Sequence, residues 1–266
     1  MTRRFAVIGN PVDHSLSPLI HLSFADQFGI DLTYEKIFSD EQTFSEIVDD
    51  FFTRGGQGLN VTIPFKHKAF AITEYLSEAA KTSRSVNTLW KNEQNQLVGS
   101  TTDGLGFINS LTHHAFNLKD KTVLMLGAGG AALSIIPELL NHSARVYLIN
   151  RTEQTALTLI EQFSGLGSIQ LWKNCNTITP DLIINTMPQD GENWLTKLDV
   201  PLSDRQVIYD ISYGARAEKF LNHCESCGVR KTIDGWGMLV EQAALSFKIW
   251  HGVQPDTKTL IANGPF

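Results

Sequence analysis

Blocks of apolar residues with strand character alternate along the chain with segments whose apolar residues recur at a helical spacing. In the first hundred residues this pattern predicts helices over 17–28 and 41–53, the first opening at Ser17 as N-cap with Pro18 behind it. It also predicts strands over 5–8, 32–38, 59–63, 86–90 and 97–100, the last two forming a hairpin.

From about residue 104 the alternation becomes a regular βαβ series. Predicted strands cover 122–126, 145–149, 169–172, 182–185 and 207–211, with helices over 131–140 and 155–163 and a long closing helix over about 239–250. Such a series indicates an α/β fold with a mostly parallel sheet and helices on both faces.

A glycine-rich turn, Gly127-Ala128-Gly129-Gly130-Ala131, stands between a predicted strand and a predicted helix. Glycines at these positions allow a tight turn and let the backbone approach a pyrophosphate, which the helix N-terminus attracts. A tightly packed structural turn would produce the same residues. The surrounding βαβ unit favours a dinucleotide site.

The strand after that helix ends in Asn150-Arg151-Thr152, where an NAD enzyme usually has an acidic residue for the ribose hydroxyl. A guanidinium at this position suits a 2′-phosphate, with Asn150 and Thr152 able to form hydrogen bonds around it. Arg151 could also be an ordinary solvated arginine. The pattern favours NADP over NAD.

Length, net charge and cysteine content exclude several classes of protein. A chain of 266 residues has about the length of two modest domains, and its net charge of -6 argues against a general nucleic-acid or anionic-membrane binder. Three cysteines are an odd count for a disulfide framework, so we expect a reduced, cytoplasmic protein. Cys224 and Cys227 form a CxxC on a predicted amphipathic helix. With Cys175 as the only other thiol, we expect no metal site.

Several polar residues stand in apolar or turn-rich settings outside the glycine motif. Ser15 and Ser17 would point the same way in an extended segment and suit a carboxylate, although Ser17 could simply cap a helix. Asp103 stands where a strand gives way to a helix and could likewise be a cap. The other members of this set are Asn60, Thr62, Lys66, Asn87 and Gln242.

Taken in order, these stretches resemble the shikimate 5-dehydrogenase family, whose members reduce 3-dehydroshikimate to shikimate with NADPH. The matching stretches span almost the whole chain: 9–11, 14–18, 60–66, 86–88, 102–104, 127–131, 150–152 and 234–242.

The resemblance implies a role for each matching residue. Lys66 and Asp103 would form the catalytic pair, with substrate also held by Ser15, Ser17, Thr62, Asn87, Tyr213 and Gln242. NADP would be held by Gly127, Ala128, Gly129, Gly130, Ala131, Asn150, Arg151, Thr152 and, nearby, Glu78, Ile211, Gly235 and Met238. A lysine is cationic at neutral pH, so Lys66 is expected to donate the proton during reduction, oriented by Asp103.

The resemblance also implies a domain organisation. A Rossmann-like, doubly wound NADP domain, 104–237, would be inserted into an α/β substrate domain formed by 1–103 and 238–266, with the substrate in the cleft between them. The expected partners are 3-dehydroshikimate or shikimate and NADP(H), with no nucleic acid, no membrane and a monomer or homodimer.

Three places depart from the family pattern, the first being Thr101, where the family often has asparagine. Thr155 replaces a second arginine that is common four residues after Arg151, which leaves open a quinate/shikimate dehydrogenase that also uses NAD. The segment 185–190, Asn-Thr-Met-Pro-Gln-Asp, differs from the family's usual loop beside the nicotinamide. A non-catalytic NADP-binding regulator is a further alternative, which the presence of both Lys66 and Asp103 disfavours.

Overall fold

The computed structural model describes residues 2–173, 178–188 and 191–265. The chain divides into two compact units. The first consists of Met1–Gly106 and Leu239–Phe266, and the second is Phe107–Met238.

The described strands are β1 (Arg3–Gly9), β2 (Leu32–Phe38), β3 (Gly56–Val61), β4 (Tyr75–Leu76), β5 (Thr88–Lys91), β6 (Leu97–Ser100), β7 (Thr122–Leu126), β8 (Arg145–Ile149), β9 (Ile169–Leu171), β10 (Leu182–Asn185), β11 (Val207–Asp210) and β12 (Lys231–Ile233). The described helices are α1 (Ser17–Phe28), α2 (Phe44–Thr53), α3 (Lys66–Ile72), α4 (Glu78–Ser83), α5 (Asp103–His113), α6 (Gly130–Asn141), α7 (Glu153–Phe163), α8 (Gly191–Lys197), α9 (Ala215–Ser226), α10 (Trp236–His251) and α11 (Lys258–Asn263).

The first unit contains a mixed sheet with strand order β2-β1-β3-β5-β6-β4. β1 runs parallel to both β2 and β3, whereas β5 runs antiparallel to β3 and to β6. The apolar face of α2, formed by Phe44, Val48, Phe51 and Phe52, packs in the same core cluster as Ala6 and Ile8 of β1. Helix α2 therefore buries the face that its periodicity predicts.

The second unit contains a parallel sheet with strand order β12-β11-β10-β7-β8-β9. Alternate residues of β7 enter two different core clusters: Val123 and Met125 join one, Leu124 and Leu126 the other. A strand that is buried on both faces needs apolar layers on both sides of the sheet. The prediction of a doubly wound α/β arrangement is therefore confirmed.

Local hydrogen bonds move several predicted boundaries. Helix α2 begins at Phe44 rather than residue 41, because the Asp40 carboxylate accepts the backbone N–H groups of Gln42 and Thr43 and forms a turn there. The N-cap of α1 is Leu16, so the prediction of Ser17 as the N-cap is wrong and Ser17 is the first helical residue.

The predicted strand over 59–63 ends early. Strand β3 stops at Val61, because the chain turns next and the Phe65 N–H donates to the Thr62 carbonyl at 3.0 Å. Asn87 lies immediately before β5 rather than inside it.

Within the part of the chain that the structure describes, we find no helix with the length and apolar character needed to cross a bilayer.

Candidate active site

Lys66 and Asp103, both in the first unit, each stand at the start of a helix. Helix α3 starts at Lys66, directly after the turn that closes β3, and α5 starts at Asp103, after β6. Lys66 Nζ donates to Asp103 Oδ2 at 2.6 Å, and the side chains are only 15% and 7% exposed. The two groups therefore form a short, charge-assisted ion pair that is largely removed from water.

Asn87 holds the other oxygen of this carboxylate. Its Nδ2 donates to Asp103 Oδ1 at 2.8 Å, while its Oδ1 accepts the backbone N–H of Thr102 at 3.0 Å. A backbone N–H can only donate, so the amide oxygen must face Thr102 and the amide nitrogen must face Asp103. Both carboxylate oxygens of Asp103 therefore have a defined donor.

Helix α10 contributes to the same cluster through Gln242, whose Oε1 lies 3.3 Å from Asn87 Nδ2. The Gln242 Nε2 donates to the Leu239 carbonyl at 2.7 Å, which fixes the orientation of this amide as well. Lys66, Asn87, Asp103 and Gln242 are thus brought together by direct contacts within the first unit.

Ser15 and Ser17 form a second polar group. Their hydroxyl oxygens lie 3.2 Å apart, with Ser17 buried and Ser15 half-buried. Thr62 is half-buried just beyond β3, and its methyl group faces Gly9, where a Cβ would come within 2.3 Å of Thr62 Cγ2. Gly9 is therefore needed for this close approach.

The glycine-rich turn joins β7 to α6 in the second unit. Gly127 has φ of +105° and a Cβ there would lie 2.5 Å from Thr186 Oγ1, so both backbone conformation and space favour glycine. Nothing lies within 4 Å of a Cβ built at Gly129 or Gly130. The start of α6 is therefore bordered by open space, with Ala131 half-buried behind it.

Asn150 ties this turn to the end of β8. Its Oδ1 accepts the backbone N–H of Ala128 at 3.2 Å and its Nδ2 donates to the Thr152 carbonyl at 3.0 Å. Arg151, Thr152 and Thr155 are exposed beside the turn.

Four positions that the resemblance places near the cofactor occupy different environments. Glu78 lies on α4 of the first unit, exposed and paired with Lys81 at 2.7 Å. Ile211 follows β11, and a Cβ at Gly235 would lie 2.0 Å from the Ile211 carbonyl oxygen. Met238 is buried in a core cluster of the second unit.

Tyr213, which the resemblance assigns to the substrate, belongs to the second unit. Its ring packs edge-on against Trp236 at 6.2 Å, and burial raises the pKa of its hydroxyl. The hydroxyl is therefore protonated at neutral pH and available as a donor.

The structure adds site residues that the sequence reasoning missed. Thr88 and Ser246 are completely buried and contact the Asn87 cluster. The available signal for Ser246 is its spacing of four residues from Gln242, which places both on one face of α10. In the second unit, Asn185 donates to Asp210 at 2.8 Å, and burial raises the pKa of Asp210.

The CxxC cysteines show no sign of an activated thiol pair. Burial raises the pKa of the Cys224 thiol to about 12, whereas Cys227 is exposed. Cys175 and the pair Gln189 and Asp190 lie outside the described residues.

The residues around the turn fit a dinucleotide. Free N–H groups at the start of α6 and the open space before them suit a pyrophosphate, and the exposed guanidinium of Arg151 suits a further phosphate. With a buried lysine–carboxylate pair in the other unit, these features define the class of nicotinamide-dependent oxidoreductases.

Three family models match the chain: the shikimate dehydrogenase substrate binding domain over 7–89, shikimate / quinate 5-dehydrogenase over 110–186, and the shikimate 5′-dehydrogenase C-terminal domain over 235–262. The shikimate dehydrogenase (NADP(+)) of Shewanella woodyi is 40% identical over 268 residues, covering 98% of this chain and 96% of that protein. The chain belongs to the shikimate dehydrogenase family.

Solved structures agree with this assignment. Shikimate dehydrogenase from Aquifex aeolicus superposes with a TM-score of 0.88 at 29% identity, covering 98% of this chain and 97% of that one. Shikimate 5-dehydrogenase from Thermus thermophilus, solved in complex with NADP(H) and shikimate, gives 0.85 at 30% identity, with 97% and 96% covered. The Rossmann-like two-domain fold expected from the sequence is therefore confirmed.

Proposed function

We propose that this chain catalyses the reversible reduction of 3-dehydroshikimate to shikimate with NADPH. The observation that carries the proposal is the Lys66–Asp103 contact of 2.6 Å, formed in a buried setting with Asn87 on the second carboxylate oxygen. A non-catalytic NADP-binding protein would have no catalytic use for this largely buried lysine–carboxylate pair.

In this proposal the substrate domain is 1–103 with 238–266. Ser15 and Ser17 present two hydroxyls 3.2 Å apart, close enough for both to donate to one carboxylate group, and they bind the substrate carboxylate. The remaining substrate contacts come from Thr62, Lys66, Asn87, Asp103, Tyr213 and Gln242.

Lys66 acts as the acid when the ketone is reduced. As the carbonyl oxygen becomes an alkoxide, the Lys66 ammonium stabilises the developing negative charge and donates a proton to that oxygen. Asp103 holds the Lys66 Nζ in place, and Asn87 holds Asp103. In the reverse direction the same nitrogen accepts the hydroxyl proton.

The NADP domain is 104–237. Gly127, Ala128, Gly129, Gly130 and Ala131 hold the pyrophosphate, and Asn150, Arg151 and Thr152 hold the adenosine 2′-phosphate. NADPH supplies the hydride when bound. Residues Glu78, Ile211, Gly235 and Met238 complete the proposed cofactor site.

The direct test mixes purified protein with NADPH and 3-dehydroshikimate and follows the nicotinamide absorbance. Turnover that requires both compounds supports the proposal. Tight NADPH binding without turnover would overturn it and favour a regulator.

Lys66→Ala provides the matched variant. We expect kcat to fall by roughly two to four orders of magnitude, because the acid is removed. The Kd for NADPH should change little, since Lys66 is not among the proposed cofactor residues, and all of those except Glu78 lie in the second unit. Retention of kcat would show that Lys66 is not the acid.

A second candidate, a quinate/shikimate dehydrogenase with dual cofactor use, has one specific observation in its favour: the exposed Thr155 stands where a second arginine is common. Turnover of quinate with NAD at a rate comparable to that of shikimate with NADP would support this alternative.

We further propose a cytoplasmic location and a monomer or homodimer. The free thiols of Cys224 and Cys227 support a reducing compartment. Sedimentation of the purified protein would determine the oligomeric state.

A further inference from the structure

A run of buried polar side chains extends from the interior of the first unit to Asp103. The Tyr34 hydroxyl donates to Asn60 Oδ1 at 2.6 Å, and Asn60 Nδ2 donates to Ser246 Oγ at 3.1 Å. Ser246 Oγ lies 2.8 Å from Thr88 Oγ1, which lies 2.8 Å from Asn87 Oδ1. All five side chains belong to buried residues.

Burying this many polar groups is costly unless every one of them is hydrogen-bonded. The run ends on a carboxylate that contacts the proposed proton donor, and it draws on β2, β3, β5 and α10 of the first unit. Ser246 comes from a position 158 residues away from Thr88. Packing alone therefore does not explain why these polar side chains are buried beside Asp103.

The direction of these hydrogen bonds follows from the Thr102 N–H. Because it fixes Asn87 Oδ1 as an acceptor, the Thr88 hydroxyl must donate to that oxygen, and Thr88 Oγ1 is then left to accept. Of the groups that can donate to Thr88 Oγ1, the Ser246 hydroxyl is nearer, at 2.8 Å, than Asn60 Nδ2, at 3.3 Å. We assign the Ser246 proton to this contact, because the Gln242 carbonyl, the other acceptor for Ser246, lies farther away at 3.1 Å.

With these directions, the protons from Asn60 onward point toward Asp103. Each bond polarises the next, so the donor strength of Asn87 Nδ2 toward Asp103 Oδ1 is increased. Thr102 Oγ1, 2.9 Å from Asn87 Nδ2 and 3.3 Å from Ser246 Oγ, joins the same cluster.

We propose that Thr88 and Ser246 are positioning residues for the reaction. They hold the Asn87 carboxamide with its nitrogen on Asp103 Oδ1, which reserves Asp103 Oδ2 for Lys66. This inference rests on the proposed function, because its readout is turnover of 3-dehydroshikimate.

Thr88→Val and Ser246→Ala test the proposal. Valine keeps the shape of Thr88 but lacks its hydroxyl, and alanine removes the Ser246 hydroxyl without adding a polar group. For each variant we expect kcat/KM for 3-dehydroshikimate to fall about tenfold, with kcat carrying most of the loss. The Kd for NADPH, measured by fluorescence titration, should stay within about twofold.

A rescue variant separates positioning from packing. Thr88→Ser keeps the hydroxyl and loses the methyl group, so we expect kcat within about threefold of wild type even if its melting temperature falls. Ser83→Ala is the matched control, because the buried Ser83 hydroxyl donates to the Ala79 carbonyl at 2.8 Å and lies outside the run. Its kcat should equal that of the wild-type protein.

The kinetic results distinguish a failure of the proposed function from a failure of the positioning role. An inactive wild-type protein would contradict the proposed function itself. An active wild type, with Thr88→Val and Ser246→Ala equally active, would overturn the positioning role alone. Equal losses in Thr88→Ser and Thr88→Val would also overturn it, since the hydroxyl would then be irrelevant.

Discussion

At the residue scale, the carboxylate of Asp103 has two donors, one on each oxygen. Asp103→Asn changes the charge while keeping the shape, so it leaves the Lys66 ammonium without a counter-charge. We expect kcat to fall by roughly two orders of magnitude or more, since the proton donor loses its orientation. Steady-state kinetics on the purified variant provide the measurement.

The control for that substitution is Asp50→Asn. Asp50 pairs with Arg54 at 2.7 Å, but both side chains are more than half exposed. Exposed pairs contribute little to stability, so kcat and unfolding midpoint should both stay near those of wild type. Equal kinetic effects of the two substitutions would contradict the special role of Asp103.

Arg151 is expected to determine the preference of the protein for NADPH over NADH. Arg151→Ala should weaken NADPH binding about tenfold to hundredfold, as expected for the loss of charge-assisted hydrogen bonds to a phosphate, and leave NADH binding nearly unchanged. Thr155→Arg should strengthen NADPH binding. Titration of both cofactors measures the ratio, and equal weakening of both would contradict the assignment.

His21 is expected to make the stability of the folded protein depend on pH. It is completely buried, stacked on Tyr34 with ring centroids 4.5 Å apart, and burial lowers its pKa to about 3. In the unfolded chain an ordinary histidine has a pKa near 6.5. Protons therefore bind the unfolded state preferentially between these values, and stability is lost as pH falls from about 6.5 toward 3.

His21→Phe would remove this effect. Between about pH 7 and pH 5 the wild-type free energy of unfolding should fall by about 2 kcal/mol more than that of the variant. His251, whose pKa burial lowers to about 4, adds a similar loss in both proteins and so cancels. Urea titrations at the two pH values measure the difference; parallel losses would exclude His21 as a cause.

At the element scale, the fit of α10 against the first sheet depends on a glycine of β3. A Cβ at Gly58 would lie 2.4 to 2.6 Å from the indole ring of Trp250, and the Trp250 Nε1 donates to the Leu89 carbonyl of β5 at 3.3 Å. Gly58→Ala should displace this ring and destabilise the protein by about 1–3 kcal/mol.

Gly165→Ala is the matched control. Nothing lies within 4 Å of a Cβ at Gly165, and no positive φ is required there, so the substitution should change stability by less than about 0.5 kcal/mol. Chemical denaturation of both variants provides the comparison. A Gly58→Ala variant as stable as the control would contradict the close packing of Trp250.

Elements with strong apolar periodicity were predictable from the sequence. The bounds of β2, β7, β8 and β10 match those of the structure, because each is an apolar or alternating run closed by a polar residue or a glycine. Strand β4, with two residues, and helix α4, with six, were missed, because elements that short show no measurable period. Their positions are set by contacts with distant parts of the chain, such as the pairing of β4 with β6.

The candidate site was predictable only in part. Asn87 and Asp103 were identifiable because a polar residue near an apolar strand, or at a strand–helix junction, stands out locally. Thr88 and Ser246 resemble ordinary residues in their own segments. Their importance comes from a contact between β5 and α10, which periodicity cannot reveal because it carries no information about long-range pairing.

At the scale of the whole molecule, the first unit is assembled from both ends of the chain. Residues 1–106 supply Lys66, Asn87 and Asp103, and the C-terminal segment supplies Gln242 and Ser246. The polar cluster is therefore completed by α10, which follows most of the second unit in the sequence. The net charge of -6 is compatible with anionic ligands because each proposed site uses a few local donors and one cation.

Because the proposed substrate and cofactor residues lie largely in different units, we expect each ligand to slow amide hydrogen exchange in a different part of the chain. Bound shikimate should slow amide hydrogen exchange in peptides covering 60–66, 87–103 and 239–250, because ligand binding suppresses local opening of the region that holds it. Bound NADP+ should slow exchange around 127–131 and 150–152. Peptides covering α2 provide an internal control for global stabilisation, since this helix contributes no proposed ligand contact. Protection by NADP+ confined to residues 1–106 would contradict the assignment of the cofactor to the second unit, whatever the enzyme's activity.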